Sequence, residues 1–201
     1  MLEKIKQEKV VAIFRGLQTE QLLPKVEMLL NHGLTLMEIT LNSPSAFETM
    51  DELKQRYGQD IHLGAGTVTK PEEVKQSKEL GATFIISPHM DKNVIQTTKE
   101  LDMVSIPGVM TPTEMKQAHE YGADILKVFP ATAMGLNYIK NVKGPFPQLS
   151  FMATGGINEK NVQDYVESGY DSVGIGSSLT ASQDEKHLKH QLEIYTQLKS
   201  V

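Results

Sequence analysis

The hydrophobic pattern repeats along the chain. Short apolar, β-branched runs alternate with longer amphipathic stretches, eight times over: "VVAIF" (10–14), "LMEIT" (36–40), "IHLGAGTV" (61–68), "FIIS" (84–87), "MVSIPG" (103–108), "ILKVF" (125–129), "SFMAT" (150–154) and "SVGIG" (172–176). A strand followed each time by a helix returns parallel to the strand before it. Eight such units predict an α/β chain folded as a (β/α)8 TIM barrel, and 201 residues is the low end for that fold. An open, doubly wound sheet is the alternative, because periodicity does not show closure.

The segments between the runs carry helix signals. Gly33, Gly58, Gly81, Gly122 and Gly169 stand where helices should stop. Pro71 and Pro112 stand at helix starts, where the missing N–H is harmless. Near the C-terminus, Leu188, Leu192, Tyr195 and Leu198 share one helical face. Residues 1–8 read as a polar, helix-like leader over the N-terminal end of the barrel. The expectation is one barrel domain over 1–201, with no linker or repeat array.

Composition narrows the function classes. The chain has no cysteine, which excludes disulfides, thiolate metal sites and a cysteine nucleophile. The net charge of −5, with no basic cluster, gives no footprint for nucleic acid. No apolar run approaches the roughly 20 residues of a membrane span, so a cytoplasmic protein without membrane partners is expected. An anionic substrate would need a local positive site, because the overall field does not attract it.

In a barrel, chemistry sits at the C-terminal strand ends. Arg15, Thr67, Thr154 and Ser177 fall there. Lys127 lies inside "ILKVF" and Glu38 inside "LMEIT". Strand alternation puts Leu36, Glu38 and Thr40 on one face, and Ile125, Lys127 and Phe129 on one face. If both faces point inward, an acid and a lysine meet in the barrel. A buried structural ion pair is the bland interpretation. The functional one is a nucleophile. Burial against Ile125 and Phe129 disfavours the ammonium, and a neutral lysine attacks a carbonyl to form a Schiff base. A carboxylate beside it can move protons.

Two glycine-rich turns, "ATGGIN" and "GIGSSL", follow strands 7 and 8. Backbone N–H groups of Gly155, Gly156 and Ser177 can converge there on a phosphate, the common site in this fold; a plain strand-to-helix turn is the alternative. His187 and His190 are three apart on a helix with no third ligand in the pattern, so a solvated face is expected. His89, after Pro88 at the end of strand 4, is either in the site or lining its rim.

Taken together, "VVAIFRGL", "MEITLNSP", "GAGTV", "FIISPHM", "IPGVMTPTE", "ILKVFPA", "ATGGI" and "GIGSSL" resemble the bacterial 2-keto-3-deoxy-6-phosphogluconate (KDPG) / 4-hydroxy-2-oxoglutarate (KHG) aldolases, in order, from about residue 8 to 180. The resemblance implies a compact barrel, usually a homotrimer, acting as a class I aldolase with no metal and no cofactor. Its partners would be a phosphorylated keto acid and pyruvate. It implies Lys127 as the Schiff-base lysine and Glu38 as the general acid/base. Arg15 and Thr67 would hold the pyruvyl carboxylate, Thr154 would line the cleft, and Gly155, Gly156 and Ser177 would bind phosphate.

One stretch departs from the gluconate type. Several such members have arginine after the strand-2 acid, in "TLR", where this chain has Asn42. "LNSP" resembles the 2-dehydro-3-deoxy-6-phosphogalactonate aldolases, which usually carry valine where this chain has Thr154. The expected activity is cleavage of 2-dehydro-3-deoxy-6-phosphogluconate, with 4-hydroxy-2-oxoglutarate as a further substrate. The alternatives are galactonate cleavage, a phosphosugar epimerase or synthase, and a non-catalytic phosphosugar-binding barrel. The last two have no use for Lys127 and Glu38 together.

Overall fold

The structure is a computed structural model and describes residues 1–180 and 184–199. It contains the strands β1 (Val10–Phe14), β2 (Leu36–Thr40), β3 (His62–Gly66), β4 (Phe84–Ile86), β5 (Val104–Ile106), β6 (Gly108–Val109), β7 (Leu126–Val128), β8 (Phe151–Thr154) and β9 (Ser172–Ile175). All pair in parallel, in the order β5-β4-β3-β2-β1-β9-β8-β7-β6. The two ends of that order are consecutive in the chain. Pro107 has no N–H to give a ladder and splits the fifth strand into β5 and β6. Ser105 O accepts from Asp124 N and Ile125 N at 3.0 and 3.3 Å, and Pro107 O accepts from Lys127 N at 2.9 Å. The sheet therefore closes through its fifth strand, and the open doubly wound alternative is excluded.

Alternation sorts the strand residues into two cores. Outward side chains such as Ala12, Phe14, Met37 and Ile39 pack under the helices. Inward ones, including Val11, Leu36, Phe84, Ile106, Ile125 and Met152, fill the lumen. The first helix, α1 (Leu2–Glu8), closes the N-terminal end by inserting Ile5, which is 0% exposed, into that inner cluster. A side chain on Gly64 would collide with the Phe84 ring, whose nearest atom lies 2.0 Å from the ideal Cβ position. The missing side chain at 64 is thus what admits the ring at 84, its register partner.

Helices α2 (Thr19–Asn31), α3 (Ala46–Tyr57), α4 (Pro71–Glu79), α5 (Lys92–Glu100), α6 (Pro112–Glu120), α7 (Ala131–Met134), α8 (Asn137–Lys143), α9 (Val162–Glu167), α10 (Ser177–Thr180) and α11 (Glu185–Gln197) follow the strands. Their starts follow local chemistry: Thr111 and Glu114 form a reciprocal capping box ahead of α6, with Pro112 in its first turn. α11 buries Leu188, Leu192 and Tyr195, the face expected from its periodicity. The third strand is shorter than its apolar run. It stops at Gly66 because Thr67 turns into the left-handed region at φ 59, an unusual conformation for a β-branched residue.

Candidate active site

Lys127 sits at the centre of β7 and is 5% exposed; Glu38 sits at the centre of β2 and is 1% exposed. Both point into the lumen, as the alternation required. Burial pushes the Lys127 ammonium below the usual lysine range; Glu38 pulls it back up and Arg15 presses it further down. Burial pushes the Glu38 carboxyl above the usual carboxylate range, against the pull of Lys127 and Arg15. The two groups feel each other, but no ion pair joins them within 4.0 Å, and Glu38 Oε2 has no hydrogen-bond partner among the described residues. A structural ion pair requires contact to offset the loss of water. This pair has burial without contact.

Other parts of the barrel are shaped around these two residues. A Cβ on Gly66 would lie 1.7 Å from Glu38 Oε1, so the bare backbone of β3 provides the space for the carboxylate. The Phe129 ring stands 4.9 Å from Lys127 Nζ. Phe129 is itself 38% exposed. It forms an outer wall beside the amine, and does not bury it as the strand pattern suggested.

A cavity of about 280 Å³ opens over Lys127 at the C-terminal strand ends. Arg15, Thr154, Gly155, Gly156 and Ser177 line it together with Lys127. Thr154 Oγ1 is buried and has no hydrogen-bond partner among the described residues. Gly155 and Gly156 have φ 89 and 80, a conformation that favours glycine. Side chains there would press on Pro130 and on Thr132. Thr67 does not line this cavity; it is partly buried at the end of β3, directly after Gly66. A roomier groove of about 760 Å³ lies on the outer wall between α2 and α11, but no strand end reaches it.

Several lining residues escaped the sequence reading. Ile13 packs beneath the cavity, where a Cβ on Gly174 would meet its side chain at 2.8 Å. Thr180 lines the cavity beyond Ser177, and Thr132 backs Gly156. For Ile13 and Gly174 the inward parity of β1 and β9 was a usable signal. For Thr132 there was none, because it meets Gly156 only through the packing of two loops. His187 and His190 are on the exposed face of α11, facing Glu159 and Glu193. Among the described residues no three His, Asp or Glu side chains are grouped as a metal site needs.

A family model described as KDPG and KHG aldolase matches residues 1–193. The 2-dehydro-3-deoxy-6-phosphogalactonate aldolase of Escherichia coli strain K12 is 34% identical over 171 residues, covering 85% of this chain and 83% of its own. The 2-dehydro-3-deoxy-phosphogluconate aldolase of Haemophilus influenzae is 33% identical over 167 residues, covering 83% and 78%. Among solved structures, KDPG aldolase from Legionella pneumophila, with pyruvate captured at low pH as a covalent carbinolamine intermediate, is 29% identical with TM-score 0.83, covering 98% of this chain and 96% of that one.

Proposed function

Since the chain belongs to the KDPG and KHG aldolase family, and so is a carbon–carbon lyase of the Schiff-base class, we propose that it cleaves 2-dehydro-3-deoxy-6-phosphogluconate to pyruvate and glyceraldehyde 3-phosphate on Lys127. The observation that carries this reading is a buried lysine facing a buried carboxylate with which it forms no ion pair. Lys127 Nζ adds to the C2 carbonyl, and loss of water gives the protonated imine. Glu38 takes the C4 hydroxyl proton as the C3–C4 bond breaks, and the bonding electrons move into the imine to give an enamine. The aldehyde leaves. Glu38 then returns that proton to C3 of the enamine, and hydrolysis of the resulting imine releases pyruvate and the free amine. The iminium is the electron sink, so this route calls on no metal. Measuring pyruvate release from the purified chain tests it directly.

Binding roles follow the same geometry. Arg15 supplies positive charge at the cavity wall for the pyruvyl carboxylate. Thr67, at the turn after Gly66 and outside the cavity lining, takes the same role on the resemblance alone. Gly155, Gly156 and Ser177 take the phosphate at the ends of β8 and β9, the strands next to β1. Ser177→Asp places a carboxylate where that phosphate sits. It is expected to raise KM for the phosphorylated substrate at least about tenfold more than for 4-hydroxy-2-oxoglutarate, which lacks the phosphate. Steady-state kinetics on both substrates checks this; equal effects would place the phosphate elsewhere. The homotrimer implied by the resemblance is part of the same proposal, and sedimentation equilibrium would read it as three chain masses.

The gluconate preference rests on Thr154. Thr154 lines the cavity and its buried hydroxyl has no partner among the described residues, so a substrate hydroxyl that reaches it can satisfy it. The two sugar acids differ at C4, the carbon whose hydroxyl Glu38 deprotonates. A site that hydrogen-bonds one configuration discriminates by more than an apolar wall does. The second reading, galactonate cleavage, is favoured by the "LNSP" loop and by the name of the Escherichia coli relative. Thr154→Val is expected to shift kcat/KM towards the galactonate epimer by roughly tenfold. A ratio unmoved by the substitution, or a wild type that already prefers galactonate, transfers the choice to the loop.

A further inference from the structure

We infer that Ser43, acting with Thr40, is a positioning residue that clamps Arg15 to the strand carrying Glu38. β1 ends at Phe14, and Arg15 follows in the loop. The register pairs Phe14 with Ile39, so Arg15 falls one step on, beside Thr40. The two backbone groups that flank Arg15 are both held by hydroxyls from the end of β2. Thr40 Oγ1 donates to Phe14 O at 3.3 Å. Gly16 N donates to Ser43 Oγ at 2.9 Å. The two hydroxyl oxygens are 2.9 Å apart.

A hydroxyl has one proton to give. Thr40 gives its proton to Phe14 O, so Ser43 is the donor between the two hydroxyls. The chain therefore runs one way: Gly16 N–H to Ser43 Oγ, Ser43 O–H to Thr40 Oγ1, Thr40 O–H to Phe14 O. It begins and ends on the peptide groups either side of Arg15. The clamp is itself anchored, since Ser43 N donates to Thr40 O at 2.9 Å and Leu41 N donates to Gly66 O at 2.8 Å. Thr40 is 0% exposed. In the helices that follow these two loops, the hydroxyls of Thr19 in α2 and Thr49 in α3 meet at 2.7 Å.

The effect is on Arg15. Its side chain lines the cavity while the residue is solvent-exposed, and the next one, Gly16, has φ 70 with open space where a side chain would stand. The two hydroxyls tie the backbone on either side of Arg15 to the end of β2. A guanidinium on a held backbone meets a carboxylate without first paying to order the loop. Asn42, one residue before Ser43, is exposed. The "LNSP" loop thus has a task that is independent of epimer choice: its serine sets the register of the carboxylate-binding arginine.

This inference rests on the reading that Arg15 holds the pyruvyl carboxylate. The test is a double-mutant cycle on Arg15→Ala and Ser43→Ala, with kinetics on the phosphorylated substrate and on 4-hydroxy-2-oxoglutarate. Both substrates carry the pyruvyl carboxylate. Ser43→Ala is expected to raise KM for both by the same factor, roughly 3- to 10-fold, with kcat little changed. Ser43→Thr keeps the hydroxyl and should restore KM. In the Arg15→Ala background, Ser43→Ala should add nothing, because the residue it positions is gone. Thr40→Val keeps the shape, breaks the chain at its other end and should reproduce the Ser43→Ala effect. If Arg15→Ala raises KM while Ser43→Ala does not, or if the two effects multiply, the clamp is overturned and the Arg15 role stands. If Arg15→Ala leaves KM unchanged for both substrates, both ideas fall together.

Discussion

Lys127→Ala is expected to abolish cleavage, lowering kcat on the order of 10⁴-fold or more, because no other group near the cavity can supply a neutral amine. Incubation of the wild type with pyruvate and borohydride should add one pyruvyl group per chain, and peptide mapping should find it on Lys127. Only the neutral amine attacks a carbonyl. Burial lowers the Lys127 pKa from 10.5, so the rate of trapping should rise with pH through a midpoint below that value. Lys127→Met removes the charge and keeps the volume; it should fold with wild-type thermal stability while losing both turnover and labelling. A label on another lysine, or turnover surviving in either variant, would refute the Schiff-base assignment.

Glu38→Gln is expected to cut cleavage by roughly 10²- to 10⁴-fold while imine formation persists. The amide keeps the shape of the carboxyl and cannot take the C4 proton. A second effect has a definite sign. The Glu38 charge holds the Lys127 pKa up. Removing it lets that pKa fall further, so the pH profile of borohydride trapping should move to lower pH even as turnover collapses. A purely structural pair predicts the reverse pattern, with lost folding and no selective loss of the cleavage step. Gly66→Ala serves as the companion. Its new Cβ would overlap Glu38 Oε1, so the carboxylate keeps its chemistry and loses its place. The same selective loss of cleavage in both variants separates position from charge. Wild-type turnover in Glu38→Gln would return the residue to a structural role.

Much of this was legible in the residues. Eight apolar runs with helix signals between them already implied parallel strands with crossovers. Lys127 and Glu38 were each flanked at two-residue spacing by residues of the same face, which sent both into the lumen. The glycine pair after "FMAT" and the serine after "VGIG" were rightly placed at neighbouring strand ends, and the cavity brings them together. Phe129 shows the limit of such parity: it lies on the inward face of its run, yet the strand ends at Val128, and beyond the ladder its ring forms the exposed wall.

Which side chains face inward, and which end of each strand looks toward the cavity, follow from a local period and from chain direction, so the residue order alone settles them. Closure, reach and partner arise only when all the strands pack together. The run 103–108 reads as one strand; that it breaks at Pro107 and its two halves join the ends of one sheet depends on the order of all the other strands. The space that Gly66 leaves for Glu38 and the hydroxyl chain from Gly16 through Ser43 and Thr40 to Phe14 join residues far apart in sequence. Such contacts depend on how far each strand is staggered against its neighbour, a quantity fixed by packing the whole lumen at once, and no local pattern of residues encodes it.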